Sequence, residues 1–390
     1  MAQHSLADFF ESHIRSKTWE NAASMSHVLM VTKWPQFRDM ESSLNDLTKL
    51  PDDFRKLIRK LVSVFKLHER GKYEEAFTEH VEAIRILTGE FANNNKTNWC
   101  LPIVYALANN QKHLAMQIGV NDSDPKRIEA YTNCSQAIRS ILTMCSGDAK
   151  TEKPKSKRVG LINILNHCMH LGFLTSNFTG LAPVINLIEN DEELQKFATN
   201  KDFVTYNFYL GKHSLFEDDL ARADKCLSYA LFHNPREYKN NRKLILIYLI
   251  TVKLLLGKSP PLNLLNEEGL EAFIPVIKAV HDGDVQRLDQ TLDRYENYFI
   301  KLGILLILDK LKQITLLILF KKLYYDVYNS YHQIPIKAFY KALIAQGYNE
   351  YDERSVEALL AVMVSDKKIR GYISHGHATI VLSKKDPFGN

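Results

Sequence analysis

The chain has 390 residues, and 50 Lys+Arg against 45 Asp+Glu leave a formal net charge of +5. With 45% apolar and 24% charged residues it can bury a large core, which excludes wholesale disorder. Its 16 glycines and 12 prolines make up about 7% of the residues against about 12% in average proteins, which favours long helices over a turn-rich β fold.

Five scattered cysteines (Cys100, Cys134, Cys145, Cys168, Cys226) form no C-x-x-C pair, so a reducing compartment is expected rather than a disulfide framework. The opening MAQHSLADFFESHIRSK has acidic residues where a secretory signal needs an apolar run. The most apolar stretch, 302–320, is interrupted by Asp309, Lys310 and Lys312, which leaves no span of about 20 apolar residues. These features together predict a soluble intracellular protein.

In chain order, Phe54, Leu57, Ile58, Leu61, Val62 and Phe65 step by three and four, which predicts an amphipathic helix with Asp52 or Asp53 as its cap. After the short turn Arg70-Gly71-Lys72, a second helix carries Tyr73, Ala76, Phe77, His80, Val81, Ile84 and Leu87, and the two must pack antiparallel. Helices are further predicted over 99–119, 126–145, 160–172, 178–189, 201–214, 217–232, 237–256, 270–281, 284–299 and 303–329. Between them, 147–158 reads GDAKTEKPKSKR, too polar to bury itself, and is predicted to be an exposed basic loop.

Residues 207–235 fit the helical-repeat template W-x2-L-G-x2-Y…A-x3-F…P through Leu210-Gly211, Ala223, Leu227, Ala230 and Pro235. Asn207 and Ser214 stand where the template has aromatics. Weaker copies begin at Gly71 and at Gly283-Asp284. Stacked pairs of this kind make a solenoid suited to macromolecular contacts. Near the end, one short helix starts at Pro335 and another runs over 352–365. Then the period drops to two at Ile369, Gly371 and Ile373 and again over 379–383, predicting a hairpin with Gly376 at a positive φ. The fold class predicted is mainly α: TPR-like helical repeats capped by a C-terminal winged helix. Its parts are an N-terminal helical region (1–146), the basic loop (147–158), the repeats (159–330) and the winged helix (331–390).

No HExxH, P-loop, G-x-S-x-G or G-x-G-x-x-G motif is present, so neither enzymatic chemistry nor a cofactor or metal is expected. Charge offers other candidates. Lys367, Lys368, Arg370, Lys384 and Lys385 against Asp366 and Asp386 leave net +3 over 366–390, a pattern for nucleic-acid phosphates. His375 at the hairpin tip and Lys337 and Lys341 on the preceding helix extend that set. Arg236, Lys239, Arg242 and Lys243 form a second basic cluster at the start of an apolar helix, suited to an acidic peptide with aromatic anchors.

Helical repeats running into a winged helix are the arrangement of the PCI domain. The segments NWCLP at 98–102, KNNRKLILIYLI at 239–250, KLLLG at 253–257, ILLILDKLK at 304–312, LFKK at 319–322, IRGYISH at 369–375 and VLSKKDPF at 381–388 resemble the PCI domain-containing protein 2 family. The apolar Leu316, Leu317 and Ile318 depart from the polar or basic character expected there. The resemblance implies a subunit of the nuclear-pore-associated mRNA-export complex, in the nucleus at the pore and also in the cytoplasm. It further implies a large PCI-like scaffold partner of the germinal-centre-associated nuclear protein type, a small acidic disordered subunit shared with the proteasome lid, and weak RNA or DNA binding without sequence specificity. The alternative is a PCI subunit of a proteasome-lid-like assembly.

Overall fold

The computed structural model describes residues 6–32, 50–92, 98–149, 151–349 and 351–388. They form two compact units, Met1–Leu210 and Gly211–Asn390. The expected class holds: the chain is mainly helical, with repeated helix pairs and a C-terminal winged helix.

The first unit contains α1 (Leu6–Ser16), α2 (Trp19–Val28), α3 (Asp52–Glu69), α4 (Tyr73–Ala92), α5 (Leu101–Gln117), α6 (Pro125–Ser146), α7 (Leu161–Thr175), α8 (Ala182–Glu189), α9 (Glu192–Phe197) and the first part of α10 (Asn200–Phe216). All six apolar positions predicted for α3 are buried, and α3 packs on α4. Neither Asp52 nor Asp53 caps α3. Pro51 precedes the helix with no side-chain bond, and the two carboxylates lie in the first turn, where the helix dipole favours them.

The segment 147–158 is exposed at Gly147, Ala149 and 152–155, as expected of a polar loop, but parts of it are tied down. Asp148 accepts hydrogen bonds from Ser156 Oγ (3.1 Å) and Lys157 N (2.8 Å), and its side chain also holds Thr151. Ser156 and Lys157 are only 1% and 7% exposed. Two 3-10 turns, Lys153–Lys155 and Lys157–Gly160, complete the segment, and Lys153 pairs with Asp191 (3.0 Å) and Glu193 (2.9 Å). The run has no large apolar anchor, and polar contacts to Asp148, Asp191 and Glu193 hold it instead.

The second unit continues with α11 (Leu220–His233), α12 (Lys239–Leu255), α13 (Leu262–Glu267), α14 (Phe273–Asp282), α15 (Val285–Arg294), α16 (Glu296–Leu302), α17 (Leu305–Asp309), α18 (Leu311–Lys322), α19 (Ile336–Ala345) and α20 (Glu353–Ser365). The repeat signature acts through close approach. A Cβ at Gly211 would lie 2.7 Å from Leu227 Cγ, and Ala223, Leu227 and Ala230 are fully buried. Asn207 and Ser214, in the template's aromatic positions, are buried too. At the α14–α15 turn Gly283 has φ +69°, and a Cβ there would lie 2.8 Å from the Leu319 backbone nitrogen, so both backbone and space call for glycine. Asp284 then caps α15 by accepting from Arg287 N at 2.9 Å.

The helices predicted over 284–299 and 303–329 are each divided, at Tyr295 and at Lys310. Apolar spacing runs through both breaks (Leu308 and Leu311 are each buried), so periodicity does not reveal them. A π turn, Leu323–Val327, extends α18 and buries Tyr324.

In the winged helix, β1 (Gln333–Pro335), β2 (Gly371–Ser374) and β3 (Thr379–Leu382) form an antiparallel sheet of order β1-β3-β2. The strand β1, absent from the expected hairpin, aligns Ile334 with Ile380, and Ile373 aligns with the same residue from the other side. The hairpin turn is also different. His375–His377 forms a 3-10 turn closed by Ala378 N donating to His375 O (3.1 Å), so Ala378, at φ +45°, and not Gly376, adopts the left-handed conformation.

One apolar cluster joins Val285, Leu316, Phe320 and Tyr324 to Ile334, Phe339, Leu360, Ile380 and Phe388. The winged helix therefore shares its core with the helices before residue 330. Leu316 belongs to that core and Leu317 packs against it, which accounts for the apolar character of this segment. Phe388 is buried edge-on to Tyr324 (5.6 Å, 66°), so the tail closes the core rather than trailing from it. Among the described residues no helix is long and apolar enough to cross a membrane.

Candidate nucleic-acid interface

The winged helix sorts its predicted basic residues into paired and unpaired. Arg370 pairs with Asp386, and its backbone nitrogen donates to Pro387 O at 2.6 Å. Lys368 Nζ donates to Gln313 Oε1 (2.8 Å) and lies 3.6 Å from Asp366. His375 Nδ1 is 2.6 Å from Glu357 Oε1, which ties the wing tip to α20. These three predicted contacts already hold polar partners of the fold, although Arg370 and His375 remain exposed, so a phosphate would have to compete for them.

The others face water. Among the described residues, Lys337, Lys341, Lys367, Lys384 and Lys385 are exposed and form no ion pair. Lys337 and Lys341 stand one turn apart on α19 and border a groove of about 420 Å³ floored by Leu323, Val327, Ala338 and Ala342. Lys384 and Lys385 lie between β3 and the buried Phe388, so their backbone is tethered at both ends. Lys367, at φ +60°, forms the turn after α20.

Sequence reasoning missed Tyr372. The register places it opposite Val381, which in turn aligns with Gln333, so these three share the outer face of the sheet. Tyr372 is 62% exposed, a flat platform on which a base can stack. The period-two pattern at Ile369, Gly371 and Ile373 already assigned it to the solvent side, but did not distinguish it from an ordinary surface aromatic.

Within the second basic cluster, Arg242 Nε binds Glu268 Oε1 at 2.6 Å and Lys243 is half-buried beside Gly269. The Arg242 charge is engaged by Glu268 just after α13, whereas Lys243 is half-buried with no ion pair among the described residues. Arg236 and Lys239 remain exposed, next in sequence to two apolar side chains that sequence reasoning also overlooked: Phe232 is 84% and Tyr238 60% exposed.

A PCI domain is recognised over residues 292–384. The PCI domain-containing protein 2 homolog of Caenorhabditis elegans is 34% identical over 331 residues, which is 83% of this chain and 80% of that protein. The chain belongs to the PCI domain-containing protein 2 family. Members from Danio rerio (32% identical, 81% of this chain and 79% of that protein) and Xenopus laevis (31%, 81% and 79%) agree. The matched PCI domain takes in the winged helix with Lys337, Lys341, Lys367, Tyr372 and Lys384, while Arg236 and Lys239 lie before it. In this member of the family, the basic candidates thus divide between the PCI domain and the helices that precede it.

Proposed function

We propose that the chain is a non-enzymatic scaffold and adaptor of the nuclear-pore-associated mRNA-export complex, acting in the nucleus at the pore. In this reading its PCI module pairs with a large PCI-like scaffold of the germinal-centre-associated nuclear protein type, and its winged helix adds a basic surface for RNA or DNA. The small acidic disordered subunit docks at Arg236 and Lys239, with Phe232 and Tyr238 as apolar footholds for its aromatic anchors. The observation that carries the nucleic-acid part is the set of five exposed lysines with no carboxylate partner among the described residues, together with the outward Tyr372 of the same winged helix.

A tagged chain used as bait in nuclear extract should recover the large scaffold and the small acidic subunit. Recovery of proteasome-lid subunits in place of the scaffold would overturn the assignment. For the surface itself, five lysines on single-stranded RNA correspond to a salt slope near −3.5, at about 0.7 per phosphate. Lys384→Glu combined with Lys385→Glu should flatten that slope by at least about 1.4 in a filter-binding titration. An unchanged slope would place the phosphates elsewhere.

A further inference from the structure

The first unit contains a cavity of about 520 Å³ walled by α2, α5, α7 and α10, within the range of small-ligand sites. Its charged and donor groups are unusual for a structural gap. Lys112 of α5 is half-buried, and among the described residues it makes no ion pair or hydrogen bond. Lys201, exposed in the first turn of α10, and His167, half-buried on α7, line the same cavity and show no side-chain partner among the described residues. The carboxylate here, Asp202, is already engaged by Asn163 Nδ2 (2.9 Å) and Thr199 Oγ1 (2.9 Å).

Buried cations are ordinarily paired, because removing an ammonium from water without a counter-charge is costly. Here burial, with Lys201 adding to it, holds Lys112 below the usual lysine range. Burial, then Lys112, His170 and Lys201, push His167 down to about 3. The walls also carry acceptors and flat rings. Asn166 is more than nine-tenths buried and gives its Nδ2 to the Asp202 carbonyl (2.8 Å), leaving its Oδ1, like that of Asn163, without a donor. Tyr209 stacks on His170 (5.8 Å, 18°) at the cavity edge, and Tyr105 forms a second aromatic wall.

We propose that this cavity binds a nucleoside monophosphate, with the phosphate between Lys112, Lys201 and His167 and the base against the Tyr209–His170 pair. The phosphate dianion supplies the charge that the half-buried Lys112 lacks, and the exposed Lys201 adds to its attraction at the cavity edge. The ribose and base supply O–H and N–H donors for the asparagine amides once these turn toward the ligand. The site is separate from the winged-helix lysines, and no chemical step is assigned to it.

The test uses the full chain and isothermal titration with adenosine, guanosine and uridine 5′-monophosphates, ribose 5-phosphate and inorganic phosphate. At least one nucleotide should bind saturably. Lys112→Met should weaken it about 10- to 100-fold without lowering the melting temperature, because the substitution removes an unpaired buried charge. Lys384→Glu with Lys385→Glu should leave nucleotide binding intact, so failure of the winged-helix reading and failure of this one are distinguishable. Each of these results would overturn the proposal: no binding of any nucleotide at millimolar concentration, unchanged affinity in Lys112→Met, or inorganic phosphate binding as tightly as the nucleotides. A 5′-phosphorylated oligonucleotide displacing the free nucleotide at far lower concentration would reassign the cavity to a strand end, and would also overturn it.

Discussion

Replacing Phe320 by Ala should destabilise the second unit by about 3–5 kcal/mol, the range for truncating a fully buried aromatic. Phe320 is fully buried and meets Phe339 of α19 edge to face, with ring centroids 4.7 Å apart at 88°. The two rings join α18 to the winged helix in the cluster that reaches from Val285 to Phe388. The loss should therefore not be confined to α18. In native-state hydrogen exchange, amides of α15, α19, α20 and β3 should lose protection together in the variant. If α19, α20 and β3 kept their protection, the winged helix would have a core of its own, and the shared-core description would be wrong. Tethering of Lys384 and Lys385 depends on the same cluster through Phe388, so the variant should also weaken RNA binding without altering any charge.

Acidification should destabilise the first unit by about 3 kcal/mol between pH 6.5 and 4 through His80 alone. His80 is fully buried on α4 with its Nδ1 against Gln111 Oε1 of α5, and burial pushes it down to about 4 despite that hydrogen bond. A folded-state value below the ordinary 6.5 means that the unfolded chain takes up a proton in this window while the folded chain refuses it. The stabilisation is complete above about pH 6.5 and declines as pH falls toward 4. Burial also lowers His68 and His113, and His167 more strongly, so further protons act in the same direction. Urea midpoints measured from pH 7.5 to 4.5 should fall steadily below pH 6.5. His80→Leu should be less stable at pH 7.5, where Gln111 loses its partner, yet show a visibly shallower decline. A variant with the wild-type slope would mean that His80 accepts its proton within the folded state.

Several parts of this architecture can be read along the chain alone. The apolar face of α3 follows from spacing by three and four, and the close approach at Gly211, Ala223 and Ala230 from the absence of bulk at those positions. The lysines of the last 25 residues and the wing itself are visible as composition and a change of period. Each is a local property, fixed by a residue and its neighbours within one or two turns. Breaks such as those at Tyr295 and Lys310 escape that reading because the apolar rows continue across them.

The candidate sites were legible as charge but not as available charge. A count of +3 over 366–390 treats Arg370 and Lys384 alike, yet Arg370 meets Asp386 across the sheet end and Lys384 faces water. Arg242 likewise meets Glu268, 26 positions away, and Lys368 meets Gln313 at a separation of 55. The cavity lined by Lys112, His167 and Lys201 brings together three helices that are far apart in the chain. The sequence by itself determined the apolar faces of the longer helices and where positive charge is concentrated. Which of those charges stay unpaired was decided only by tertiary structure, because pairing and desolvation depend on neighbours that folding, and not chain order, brings within a few ångströms.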